Sequence, residues 1–164
     1  MGRDRKHRRG DDADGATFVR LPCVVITSPG YRQASHTARS LLIDVAQQFD
    51  GRNNGRLTAA AKYLEPLGWK SPGVVAWALR ELQACGLLVM TRQGGLNRPS
   101  WFALTWRGLH QATDLDIDPK RFRRGEYMRP EPVPARPSHA RKAKDAGELS
   151  TTPGVAVAAT QVRL

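Results

Sequence analysis

Asp114, Asp116 and Asp118 alternate as the first three ligands of a calcium loop do, so this stretch is the first place to look for metal chemistry. The following positions argue against it. Pro119 stands where that loop turns on glycine, and Gly125 stands where its bidentate glutamate belongs, so no metal is expected. General acid–base chemistry would draw on Asp44, Asp50, Glu65 or Glu81, the carboxylates of the apolar part of the chain, or on His36 and His110 at its segment ends. His7 and His139 lie outside that part. The chain contains no G-x-S-x-G, no Walker loop, no H-E-x-x-H and no dinucleotide fingerprint. His36 reads as a polar residue in a first helical turn, and the expectation is a non-enzyme without a cofactor. A nuclease would require scattered acids to converge in space.

Cations offer more. The run Lys120-Arg121-Phe122-Arg123-Arg124, followed by Tyr127 and Arg129, interleaves aromatic and basic side chains. Such a run either grips nucleic acid by stacking and ion pairing or docks on the core through Phe122 and Tyr127. Arg52 and Arg56 flank the turn-forming Asn53-Asn54-Gly55, and Arg92 and Arg98 flank Gln93-Gly94-Gly95-Leu96-Asn97. Each of these arginines is a phosphate ligand or a solvated charge.

The whole chain of 164 residues carries 26 Lys and Arg against 15 Asp and Glu, a net charge of +11 with a pI near 10.6, which points to a negatively charged partner. Residues 1–16 hold five basic and four acidic side chains (+1), 17–110 eleven and four (+7), and 111–164 ten and seven (+3). All four tryptophans and most long aliphatic residues also fall in 17–110, so one domain is expected there. Residues 1–16 read as a disordered charged head, 111–129 as a basic arm with the aromatics to order, and 130–164 as a flexible tail rich in Pro, Ala and charge. No internal repeat is visible. Apolar runs such as Leu21 to Ile26 fall far short of the ~20 residues of a membrane span, and no apolar leader is present, so a bacterial cytoplasmic, nucleoid-associated protein without membrane contact is expected. Cys23 and Cys85 lack zinc-site spacing and suit a reducing compartment.

Three helical segments must position these cations. Ala38, Leu41, Leu42, Val45, Ala46 and Phe49 share a helix face within Ser35 to Phe49, with Ser35 as its cap and the glycine–asparagine cluster as its stop. Thr58 is expected to cap a short helix, Ala59 to Leu67, in which Ala60, Tyr63, Leu64 and Leu67 share a face and which Pro66 and Gly68 limit to a few turns. Ser71 followed by Pro72 starts a third helix that runs to Cys85 before Gly86, with Val75, Leu79 and Leu82 inward. Leu87 to Met90 and Trp101 to Trp106 then form a hairpin, whose Gly94 and Gly95 read as turn residues supplying positive φ. The outward stripe of the third helix is Lys70, Ser71, Gly73, Ala76, Trp77 and Arg80. Arg80 reaches a partner or pairs with the adjacent Glu81, and Trp77 touches a partner or packs under the hairpin.

This order, with K-S-P at 70–72 opening a helix that continues V-x-x-x-L-R-E-L and ends C-G-L-L, resembles the winged helix-turn-helix family across Ala38 to Trp106. FVRLP at 18–22 and FDGRNNGRLT at 49–58 resemble segments of small helix-turn-helix proteins from bacterial mobile elements and phages. The resemblance implies an α+β, mostly helical fold, a three-helix core with a hairpin wing. It also implies double-stranded DNA as the partner, with the 71–85 helix in the major groove and Arg92 and Arg98 on the flanking backbone or minor groove. A transcriptional regulator is the leading role, with replication or partition beside it. Trp77 departs from the family pattern, which has a small or basic polar residue there. The alternatives are a protein-interaction module anchored by Trp77 and Trp101, and an RNA-binding basic protein. Dimers commonly bind paired half-sites, but no dimer helix is visible, which leaves a homodimer open.

Overall fold

Pro22 and Ser28 start two short helical turns, α1 (Cys23–Ile26) and α2 (Pro29–Gln33), in a stretch whose composition shows no helical period. The computed structural model describes residues 18–96, 98–110 and 113–134. Tertiary packing makes α1 and α2 helical: Val25 and Ala34 are buried in the core, and Ser28 caps α2 by accepting the Tyr31 N–H. Ser35 caps α3 (His36–Ala46), as its position before the apolar period predicts, and Ala38, Leu41, Leu42, Val45 and Ala46 are all buried. The helix stops three residues short of Phe49. There the backbone tightens into i→i+3 bonds from Gln48 to Val45 and from Phe49 to Ala46, and Phe49 packs half-buried against the core.

The second segment differs most from expectation. Thr58 lies in a strand, β1 (Leu57–Thr58), not at a helix cap, although its hydroxyl does accept the Ala60 N–H at 3.2 Å. The helix shrinks to one turn, α4 (Ala61–Leu64), followed by a 3-10 turn at Glu65–Leu67, because Pro66 cannot donate to an α-helical ladder. Leu64 is buried, but Leu67 is 42% exposed and leaves the shared face. Gly68, at φ +94°, reverses the chain. Trp69 then donates its indole N–H to Asp44 Oδ2 at 2.6 Å, which ties the connection to α3.

Ser71 caps α5 (Pro72–Ala84) by accepting the Val74 N–H, with Pro72 in the first turn. Val75, Ala78 and Leu82 face α3, while Leu79 is half-buried. Gly86, at φ +66°, turns the chain into β2 (Leu88–Arg92), which pairs antiparallel with β3 (Trp101–Leu104). A bulge between Met90 and Arg92 sets Arg92 opposite Trp101. β1 joins the other edge of β3, giving the order β1-β3-β2. Asn54, which reads in sequence as a turn former, is buried: its amide donates to the Leu104 and Gly108 carbonyls and its Oδ1 accepts the Leu104 N–H. It extends the sheet where β1 runs out.

The stretch from 113 to 134 packs onto this core. Asp116 N–H donates to Thr91 O, Gly125 N–H to Thr105 O and Glu131 N–H to Ala84 O. Tyr127 is buried in the main core, and a Cβ at Gly86 would meet the Glu126 carbonyl carbon at 2.6 Å. The architecture is α+β, helices together with a three-stranded antiparallel sheet. The charged head at 1–16 and the tail beyond Pro134 lie outside the described residues. Among the described residues no helix is long and apolar enough to cross a membrane.

Candidate nucleic-acid interface

On α5 the exposed positions are Pro72, Gly73, Ala76 and Arg80, continuing the exposed Lys70 and Ser71 that lead into the helix. The stripe arises because Val75, Ala78 and Leu82 take the inward face and the next turn repeats it. Arg80 does not pair with Glu81. Glu81 points into the protein, 5% exposed, and accepts both the Ser35 N–H at 2.5 Å and the Ser35 hydroxyl at 2.8 Å. Among the described residues no carboxylate lies within ion-pairing distance of Lys70, Arg80, Arg52 or Arg98. Small side chains at 73 and 76 leave the helix backbone open to close approach, with two cations at the ends of the strip.

Trp77 is half-buried and lines a cleft with Ser35, Thr37, Val133 and Pro134.

At the hairpin tip Gly95 and Arg98 exchange backbone hydrogen bonds around Leu96, and Leu96 is 93% exposed. Neither Gly94 nor Gly95 adopts the positive φ expected of them. Gly94 is required for another reason: a Cβ there would sit 2.7 Å from the Ser100 N and 2.9 Å from the Arg98 carbonyl oxygen. Arg98 is exposed, whereas Arg92 is drawn back from the tip. Its guanidinium lies 3.2 Å from the centroid of Trp101, its side chain is 19% exposed, and its Nε is buried with no hydrogen-bond partner.

Arg56 reaches the same indole at 5.6 Å and donates to Asp114 Oδ1 at 2.9 Å, while Asp114 Oδ2 is 3.9 Å from Arg92. The Arg56 hydrogen bond holds the Asp114 carboxyl below its ordinary pKa. Sequence reasoning missed this cluster, since no local spacing signals a pairing over 58 residues of chain. The alternating aspartates are structural ties: Asp116 accepts the Gln93 N–H at 2.7 Å and Asp118 accepts the Lys120 N–H at 2.9 Å, starting a 3-10 turn at Pro119–Arg121.

Lys120, Arg121, Arg123 and Arg124 are exposed, Phe122 is half-buried, and Arg124 reaches the Trp106 carbonyl at 3.5 Å. Arg121 lies beside β2, in a groove shared with Met90, Gln93 and Ile117. Arg52, exposed, stands in the turn after α3, where its N–H donates to Asp50. Lys70 and Ser71 thus lead into the exposed Gly73, Ala76 and Arg80 of α5, and Arg56 and Arg92 lie against one indole. Arg98 is left alone at the tip. No protein-family model, no curated protein and no solved structure matches the chain.

Proposed function

We propose that the chain is a winged helix-turn-helix protein that binds double-stranded DNA, acting as a transcriptional regulator of a mobile element or phage, with replication or partition as neighbouring roles. The observation that carries this reading is the outward strip of α5, flat at Gly73 and Ala76 and bounded by Lys70 and Arg80, which pair with no carboxylate among the described residues. A helix enters a major groove with its N-terminal turns and one exposed face, and small residues on that face let it sit deep while arginine reaches guanine or phosphate. Support also comes from the element order from α3 onward: helix, strand, short helix, helix and hairpin, with the first strand paired to the last. In this reading Arg98 follows the backbone beside the groove, and Arg52 and the exposed run from Lys120 to Arg124 add phosphate contacts. The role in a mobile element rests on the resemblance of residues 18–22 and 49–58 alone.

Leu96, almost fully exposed at the hairpin tip, favours a second reading, in which the hairpin inserts into a protein partner. Selection of random duplexes by the full chain at about physiological salt, with Lys70→Ala/Arg80→Ala and Arg98→Ala in parallel, separates the two. The expected result is enrichment of a defined motif by the native chain, blurred by the α5 pair and weakened by Arg98→Ala. A chain that retains no duplex overturns the DNA reading, and preferential retention of single-stranded RNA would replace it with RNA binding.

A further inference from the structure

Arg56 and Arg92 both lie against the Trp101 indole and share a single resident anion, Asp114. We propose that this cluster is a phosphodiester-binding site on the flank of the hairpin and that Asp114 occupies it in the absence of nucleic acid, so that binding exchanges a carboxylate for a backbone phosphate. The proposal rests on the DNA reading above and assigns that interface an internal competitor.

Arg92 is already ordered and largely desolvated by its stack on the indole, with a buried Nε that has no partner, so little side-chain entropy remains to be lost when an anion arrives. Its one ionic contact is long, 3.9 Å, and reaches an oxygen of a carboxylate that already serves Arg56. Two guanidiniums therefore share one negative charge, and the cluster keeps an unmatched positive charge. Asp114 and Arg56 are 41% and 47% exposed, so water and a phosphate reach the pair, and an exposed pair of this kind is weak enough to open. A phosphodiester offers two anionic oxygens to a guanidinium fork, the geometry the carboxylate imitates. Asp114 is carried on the stretch that Asp116 fixes to β2, through Thr91 O and the Gln93 N–H, so the competitor is held at the site by the fold.

The test is duplex binding by the full chain as a function of salt for the native protein, Asp114→Asn, Arg56→Ala and the double variant, with Glu131→Gln removing an equal exposed charge elsewhere. Thermal melting checks that each variant folds. Asp114→Asn is expected to bind about two- to fivefold more tightly, the range an exposed pair supplies, and to steepen the log–log salt dependence by about 0.9 for each additional phosphate neutralised. In the Arg56→Ala background the gain should shrink to that of Glu131→Gln. Equal affinity and slope for the native chain and Asp114→Asn, or a gain that survives Arg56→Ala, overturns the competitor while leaving DNA binding intact. Failure of every chain to bind overturns both readings. Binding by Asp114→Asn alone supports the exchange outright.

Discussion

Asn54 is buried with its side-chain oxygen and both amide hydrogens engaged on the backbone at Leu104 and Gly108. Asn54→Ala leaves those groups without partners away from water, and the expected cost is about 2–4 kcal/mol, readable as a lower urea midpoint at unchanged slope. Burial, and then the nearby Glu81 charge, push the Cys85 thiol up to about 11, against a smaller opposing pull from Arg39. For an acid raised in this way the folded state keeps its proton while the unfolded thiol ionises first, so any stability linked to Cys85 is lost as pH rises above about 9. At about pH 8 iodoacetamide is expected to modify exposed Cys23 and spare Cys85 until denaturant is added, which intact-mass spectrometry can follow. Asp114 has the opposite sign. Its carboxyl sits below the ordinary range because Arg56 bonds it, so its contribution is present above the unfolded carboxylate pKa and disappears as pH falls. Its NMR titration midpoint should rise in Arg56→Ala.

Among the elements, α5 and the stretch 113–134 meet at Ala84 and at Gly86 just beyond the helix. Gly86 adopts φ +66° at the end of α5 and lies so close to Glu126 and Tyr127 that a Cβ would overlap their backbone at 2.6–2.8 Å. Gly86→Ala is expected to cost more than about 1 kcal/mol, combining left-handed strain with displacement of the Glu126–Met128 turn. Hydrogen exchange should report it as lost protection at Glu131 N–H, whose acceptor is the carbonyl of Ala84 in α5. The short α4 and its 3-10 continuation hold their place against α3 through Asp44, which accepts the Trp69 indole N–H and, at its carbonyl, the Tyr63 hydroxyl. Asp44 thus serves the connection between α4 and α5, which sets how far Lys70 and Ser71 project.

For the molecule as a whole, the charge surplus of +11 makes salt the sharpest variable. Six to eight phosphate contacts predict a log–log salt slope of about −5 to −7 for duplex binding, and a slope near zero would remove the electrostatic basis of the reading. Residues 17–110 carry most of the surplus, and the folded segment through Pro134 carries the exposed Lys120, Arg121, Arg123 and Arg124, with Arg121 beside β2. The cations therefore lie on the same folded body as the α5 strip.

Local chemistry alone decided the caps of α3 and α5, their apolar faces and the hairpin, since an apolar period and a serine before it act within a few residues of chain. The outward strip of α5 follows from the same periodicity. Only the tertiary structure decided the helicity of α1 and α2, the strand at Leu57–Thr58 and the docking of residues up to Pro134, because each is stabilised by partners distant in sequence. The fate of individual charges belongs to that level too. Glu81 turned inward to Ser35, Arg92 lay down on Trp101, and Asp114 crossed the fold to Arg56, since an ion finds its partner by distance in space and not by spacing along the chain.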